Sequence, residues 1–472
     1  MEKKLWQHAI EKNQRTLDSI ISTYEYSKKE HWYNVLANSP LLNGRQAKIW
    51  YEENHFHFHI AIVDDNVKPA DLELIMKAKN LLLIFQNSSF EWKCDFDSVD
   101  SLSSSIQPTQ GYTIIEGKLK HLKSNEKNDD KQLYTAIIQC PDENFLGSHF
   151  PAYNLKVGEI TYGMRLIELS IIGQPLHFYI YGKENLKEKF LFVESIDQIE
   201  YEKFSCIINE VLLCIAYLTG ISVGKEIFTL VNHPNESYKA YPYCHSIYKE
   251  NIQSNKYGTI LKLDDGITEH STIFYKNGLE FLKTIIEKCI LSTQYRRAIL
   301  LLIKANSEED YIKTTIYSVA LESMCKLMYE KKPINPIPEK KLASQIRDDL
   351  KKIINHHAKD LQEESIAKLN NYVNNINRPS NSDMLTKPFV ENNIKLNELD
   401  LQAINHRNDF LHGRLPYDSG THELSIIALR LLYCVSCLIL KYSGYIGGLN
   451  YYSFHYQHYN NLKKEGNPYY LI

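Results

Sequence analysis

From about residue 45 to 200, apolar and polar positions alternate in short runs rich in β-branched and aromatic side chains, separated by polar turns. A period of two places successive side chains on opposite faces of a strand. Ala47 to Trp50, His55 to Val63, Tyr112 to Leu119, Leu133 to Cys140, Leu176 to Ile180 and Phe190 to Val193 therefore read as strands. Residues 1 to 38 read as helical, and two polar stretches, Ser101 to Gly111 and Lys118 to Lys131, read as loops. A helix over Phe204 to Leu218 should stop at Gly220, and a mixed stretch with many aromatics runs on to about 270.

Beyond about residue 272 the period lengthens to that of a helix. The pattern predicts a long helix from Leu279 to Ile303 and a second from Asp310 to Tyr329, with Pro333, Pro336 and Pro338 breaking the chain after it. Helical pieces at 341 to 356 and 360 to 375 follow, then a polar loop around Pro379 and Pro388. Two closing helices run from Leu396 to about Leu411 and from Leu424 to Tyr442, ended by Gly444, Gly447 and Gly448. The expected architecture is α+β: a β-rich region over 1–200 with a helical start, a mixed connection over 201–271, an all-α bundle over 272–443 and an aromatic tail over 444–472.

Composition narrows the class. With 43% apolar and 24% charged residues, 19 Gly and 15 Pro in 472 residues, the chain is globular and long enough for several domains. Its 54 basic residues nearly cancel 57 acidic ones, so a nucleic-acid partner has to bind a local site. Nine scattered Cys, and a start MEKKLWQHAIEKNQ without an apolar core after its lysines, lead us to expect reduced thiols in a cytoplasmic protein. The two longest apolar runs carry Glu210 and Arg430 and stop short of about 20 uninterrupted residues, so no membrane span is expected.

Candidate chemistry gathers near the end of the helix from Leu396. Its apolar positions recur at Leu396, Leu399 and Ala403 and then lead to 407, which is Arg, before Phe410. A guanidinium on a buried stripe is costly unless it meets an anion or opens onto an interface. Gly413 suits the left-handed position past a helix end and Pro416 follows, so His412 sits at the stop. Five helical residues rotate by about 140° net, so a straight helix would not aim Arg407 and His412 at one atom. Fraying after Leu411, or a second copy across a two-fold axis, would complete the site. The same two residues also suit an ion pair capping a helix C-terminus.

The segment Arg407, Asn408, Asp409, Phe410, Leu411, His412, Gly413 resembles the HEPN superfamily, whose nuclease members are helical modules carrying an Arg, four to six residues, then His. The closest subgroup is similar to the ApeA-like HEPN proteins of bacterial phage defence. Asn directly after the Arg, Gly directly after the His, and SVALESMCKLM at Ser318 to Met328 on an upstream helix carry that likeness. It covers about 272 to 443. It implies a metal-independent endoribonuclease without cofactors, dimeric through the helical module, acting in abortive infection on RNA, tRNA included, after a phage-derived trigger reaches the N-terminal region. A non-catalytic RNA- or protein-binding scaffold is the alternative. The implied site is Arg407 and His412, with Asn408 orienting phosphate or imidazole, and Glu322 as a carboxylate that orients Arg407 or His412. Glu322 also suits an ordinary solvated face beside Thr315, Ser318 and Lys326.

Three other signals are weaker. His55, His57 and His59 would share one strand face, but alternate strand residues lie about 6.6 Å apart, too far for all three to reach one ion. Cys434 and Cys437 fall inside an apolar helix and read as core thiols. The Lys-rich stretch Lys340 to Lys352, followed by His356 and His357, reads as a solvated face or a contact to RNA phosphate.

Overall fold

The alternating half of the chain forms one antiparallel sheet, and the helical half forms a bundle, giving the α+β class. The structure is a computed structural model describing residues 14–53, 55–63, 67–77, 81–95, 98–107, 112–124, 131–140, 153–157, 160–182, 189–221, 224–232, 240–248, 250, 258–261, 276–331, 335–378, 380–414, 421–464 and 466–472. It divides into two compact units. The first comprises Met1–Ala216, Ser222–Ile252 and Asp264–Glu287, and the second Tyr217–Ile221, Gln253–Leu263 and Lys288–Ile472.

The first unit opens with α1 (Gln14–Lys28), then β1 (His31–Ala37), β2 (Gln46–Glu52), β3 (His55–Ile62), α2 (Pro69–Lys77), β4 (Leu82–Gln86), β5 (Glu91–Asp95), β6 (Val99–Gln107), β7 (Tyr112–Leu119) and β8 (His121–Ser124). It continues with β9 (Leu133–Cys140), β10 (Tyr153–Val157), β11 (Ile160–Ile171), β12 (Gln174–Gly182), β13 (Lys189–Ser195), α3 (Tyr201–Thr219), β14 (Glu226–Asn232) and β15 (Ala240–Ile247). All fifteen strands join one sheet in the order β10-β11-β12-β13-β9-β14-β15-β8-β5-β4-β1-β2-β3-β7-β6.

The alternation is literal in β3, where Phe56, Phe58, Ile60 and Ile62 are buried and the three histidines stand on the other face. The sheet curls round α1. Phe56 of β3 meets His245 of β15 with ring centroids 4.5 Å apart, although six strand-to-strand steps separate β3 from β15 in the sheet order. Leu17, Ile21 and Tyr24, at helical spacing on α1, are buried in the same core.

Several expected boundaries differ. Residues 31–37 are a strand, not the end of a helix, because His31 to Ala37 alternates buried Tyr33 and Val35 with exposed neighbours. Ser101 to Gln107 lies in β6 and not in a loop. Paired to β7 from Val99 to Gln107 at the end of the sheet, it needs backbone donors and acceptors more than apolar side chains. The expected loop from Lys118 likewise contains the end of β7 and all of β8, and its residues 125–130 lie outside the described residues. The strands β14 and β15 fall in the stretch assigned to a mixed connection, and they complete the sheet.

The helical half includes the long pair expected, with one break, and its first helix belongs to the first unit as far as Glu287. The stretch read as a single helix is α4 (Lys276–Leu291) and α5 (Thr293–Lys304), because the Ser292 hydroxyl accepts from Tyr295 N at 3.2 Å and caps a new start. Then come α6 (Asp310–Lys331), α7 (Lys340–His356), α8 (Glu363–Asn374) and α9 (Asn381–Glu391). The loop expected around Pro388 is therefore helical. A proline costs about 3 kcal/mol in a helix interior, but burying Leu385 and Phe389 on either side returns about 2–3 kcal/mol each.

The helix read from Leu396 to Leu411 is α10 (Glu398–Asn405) and α11 (Arg407–Leu411), jointed at His406. After α12 (His422–Tyr442) the tail folds into β16 (Gly448–Asn450), α13 (Tyr452–Tyr459) and β17 (Tyr469–Leu471), with β16 paired to β17. Within the unit α6 packs against α5, α9, α11 and α12, and α10 against α12. Every residue of α12 from Ile427 to Leu440 is buried, Cys434 and Cys437 included. By length and composition α12 is the single described helix apolar enough to cross a membrane, and its apolar run is spent inside the protein.

Candidate functional site

α10 is placed first. Asn397 and Asp400 cap it reciprocally, Asp400 N donating to Asn397 Oδ1 at 2.8 Å and Asn397 N to Asp400 Oδ2 at 3.1 Å. Arg430 of α12, 1% exposed, donates from Nη1 to Asn397 Oδ1 at 3.1 Å and to Asp400 Oδ1 at 3.4 Å. Tyr451 OH donates to the same carboxylate oxygen at 2.6 Å and accepts from Asn397 Nδ2 at 3.2 Å. Burial pushes the Asp400 carboxyl up, and Tyr451, Asn397 and Arg430 only partly oppose it. The charge that interrupts the longest apolar run is thus the counter-ion of a sealed polar cluster. The Asn397-x-x-Asp400 spacing, a capping-box pattern, was the sequence signal for it.

At His406 the helix stops and restarts as α11, five residues long. Phe410, 2% exposed, anchors α11 against α6, where the Thr315 hydroxyl donates to Phe410 O at 3.3 Å. α11 then closes in a Schellman arrangement, Arg414 N donating to Asp409 O at 2.7 Å and Gly413 N to Phe410 O at 3.1 Å. Gly413 takes φ +69°, the left-handed position that its place past the helix end predicts.

This short helix sorts the motif onto two sides. Arg407 points inward, its side chain 7% exposed, with Nε 3.2 Å from Oε1 of Glu322 on α6. The contact is an ion pair by distance without hydrogen-bond alignment, for the buried Nε–H has no acceptor among the described residues. Cys325, one turn along α6, is buried beside the pair and donates from Sγ to Leu385 O at 3.7 Å. Burial pushes the Cys325 thiol far up, the Arg407 charge pulls it down and Glu322 adds to the rise. Nothing in the sequence marked Cys325, since contact across α6, α9 and α11 is tertiary.

Asn408 and His412, four residues apart, share the exposed side of α11. Neither side chain makes a hydrogen bond or ion pair to Arg407 or Glu322 among the described residues. Of the four residues read from sequence, the structure brings Glu322 to Arg407 and leaves Asn408 and His412 facing solvent one turn away. The divergence between positions 407 and 412 stands within one chain, although the joint falls before Arg407 and not after Leu411. Flanking the motif, His406 Nδ1 lies 3.4 Å from Asp409 Oδ2.

The three histidines of β3 stand on one face as the alternation requires, with His57 stacked on Trp50 at 5.3 Å and 6.4 Å between the His55 and His57 rings. Among the described residues no three His, Cys, Asp or Glu side chains gather as a metal site.

The chain matches no family model, no curated protein and no solved structure.

Proposed function

We propose that the helical unit is a metal-independent HEPN-type endoribonuclease that cleaves RNA, tRNA included, by attack of the 2′-OH. In this reading it acts in the cytoplasm in abortive-infection defence, with the β unit sensing a phage-derived trigger and the helical module forming a homodimer. One observation carries it. A buried guanidinium, held by one carboxylate and with a donor unused among the described residues, lies on the same five-residue helix that presents a solvent-facing imidazole at its end.

The chemistry fits these groups. His412 takes the 2′-hydroxyl proton, the 2′-oxygen bonds phosphorus, the bond to the 5′-oxygen breaks, and that oxygen leaves with a proton from a second imidazole. Arg407 offers bidentate donors to the phosphate, which competes with Glu322 for the guanidinium, and Asn408 orients phosphate or imidazole. His412 cannot serve as base and acid at once, and it points away from Arg407. A two-copy site supplies both needs. Proton transfer and charge stabilisation are thereby covered by side chains, and the reading calls for no cofactor.

The test is cleavage of tRNA by the purified chain with and without EDTA. Activity that survives chelation and leaves 2′,3′-cyclic phosphate and 5′-hydroxyl ends supports the reading, and a strict divalent requirement overturns its metal-free step. Arg407's burial favours one second reading, a non-catalytic RNA- or protein-binding scaffold. Binding of RNA without cleavage, unchanged in His412→Ala, would select it.

A further inference from the structure

Arg407 can hold a phosphate, but none of the groups placed so far meets the base attached to it. The helix that lies along α11 is α6. At about 100° per residue, Tyr311, Thr315 and Glu322 fall within about 40° of each other on α6, and two of the three touch α11. Glu322 Oε1 lies 3.2 Å from Arg407 Nε, and the Thr315 hydroxyl meets Phe410 O at 3.3 Å. That hydroxyl also lies 3.2 Å from Tyr311 O, so its one proton is shared between the two carbonyls. Phe410 O accepts from Gly413 N as well, which sets the first turn of α6 beside the turn that carries His412.

Tyr311 is 40% exposed, and among the described residues its ring packs on no other aromatic ring and its hydroxyl makes no hydrogen bond. Tyr372, Tyr459 and Tyr469 of the second unit are exposed too, but none of them stands on the helix that holds Arg407. A free aromatic ring accepts any base by its π face. Its surroundings suit a base and not a phosphate. Glu308, Glu309 and Asp310 directly precede it, with Asp310 paired to Lys313 at 3.1 Å. Carboxylates repel the RNA backbone, yet they accept from the exocyclic amine of a base. From Arg407 to Leu411 α11 is about 7.5 Å long at 1.5 Å per residue, so a phosphate at Arg407 and a base at Tyr311 belong to the same or adjoining nucleotides.

We propose that Tyr311 stacks on an unpaired nucleobase beside the cleaved bond, so that the substrate is single-stranded or looped RNA and not duplex. The inference rests on the nuclease reading above and names the form of RNA that it takes. In a helix each base is already stacked on both faces, and the deep, narrow major groove of A-form RNA admits no side chain. A base reaches the Tyr311 ring only when it is splayed out. Thr315 fixes the backbone on which the ring stands, and the Arg407 guanidinium fixes the phosphate, so the two contacts together set which bond of a flexible strand is presented.

Steady-state cleavage and fluorescence anisotropy with the full chain test the proposal on one set of oligonucleotides. The set is a short fluorescein-labelled single-stranded RNA spanning the cut mapped on tRNA, its duplex, and copies with one abasic ribonucleotide at each successive position. Wild type should cut the single strand and leave the duplex intact. Tyr311→Ala should raise KM about tenfold with kcat within about twofold, and Tyr311→Phe and Tyr311→Trp should restore it. At one position beside the cut, the abasic strand should cost wild type that same factor and cost Tyr311→Ala nothing more. Equal cutting of the duplex, an unchanged KM in Tyr311→Ala, or abasic losses that add to that of Tyr311→Ala at every position would overturn the stacking site. RNA bound but left uncut, with the same abasic pattern in anisotropy, would refute the nuclease reading and leave the base site in place. No binding of any strand would overturn both.

Discussion

Arg430 and Arg407 both place a guanidinium inside the helical unit, 1% and 5% exposed, and their surroundings differ in kind. Arg430 meets an amide oxygen and a carboxylate that is itself capped by a backbone amide and a tyrosine hydroxyl, so its cluster is closed. Among the described residues Arg407 meets one carboxylate, whose side chain is 44% exposed, and its Nε–H has no hydrogen-bond partner. A buried pair with its hydrogen bonds made fixes where helices sit. A pair left open on one side has donors still to offer to an anion. On the proposed function the contrast gives Arg430 a structural part and Arg407 a chemical one, and each variant below tests one side of it.

The largest effects should be catalytic. If the nuclease reading holds, Arg407→Ala and His412→Ala each lower cleavage by about 10²–10⁴-fold, measured as initial rates on tRNA. His412→Ala should melt like wild type, since its side chain is exposed and makes no hydrogen bond among the described residues. Arg407→Lys should also fail, because an ammonium cannot replace a planar fork. Full activity in both alanine variants would reduce the Arg407–Glu322 pair to a helix cap.

Arg430→Ala should act on stability instead. Removing it leaves Asp400 buried without its cation, a loss of about 3–5 kcal/mol, read by helical circular dichroism in a denaturant titration. A change under 1 kcal/mol would erase the distinction between the two arginines.

The β unit offers a third polar cluster, closed like that of Arg430 but spanning α1 and two strands. Glu226 of β14 lies 3.0 Å from Lys28 Nζ and 3.2 Å from His245 Nε2, and Tyr24 OH donates to it at 3.1 Å. Burial alone would raise the Glu226 carboxyl, but His245 and Lys28 override it and hold it at about 2, below its ordinary 4.5. Burial drives the His245 imidazole down, against the pull of Glu226. A carboxyl depressed on folding adds stability that is complete above about pH 4.5 and lost as pH falls toward about 2, here about 3 kcal/mol. All four tryptophans precede residue 93, so tryptophan fluorescence follows this unit. Glu226→Gln should lose that increment at neutral pH and flatten the acid limb. An acid limb identical to wild type would sink the assignment.

The smallest effect belongs to the turn that sets His412. Gly413→Ala meets no atom of the described residues within 4 Å, so its cost is backbone strain at φ +69°, about 1 kcal/mol, with Gly413→Asn costing less. Equal melting temperatures for wild type and Gly413→Ala would mean that this turn relaxes freely.

Sequence alone determined the elements whose side-chain period matches their burial. β3 buries every second residue from Phe56 to Ile62 as the alternation reads, and α12 and the φ of Gly413 follow from an apolar run and a helix end. It also marked Arg407, since a cation on an apolar stripe stands out locally, and His412 at the helix stop, while Asn408 and Glu322 were marked by the family resemblance. Tertiary structure decided the rest. β6 is a strand through its backbone pairing with β7, and α9 runs through Pro388 because Leu385 and Phe389 are buried. The joint at His406 turns Arg407 toward Glu322, 85 positions earlier, and leaves His412 outside. Local periodicity encodes which face of an element is buried, but which distant group an arginine meets depends on how the elements pack, and no spacing along the chain contains that.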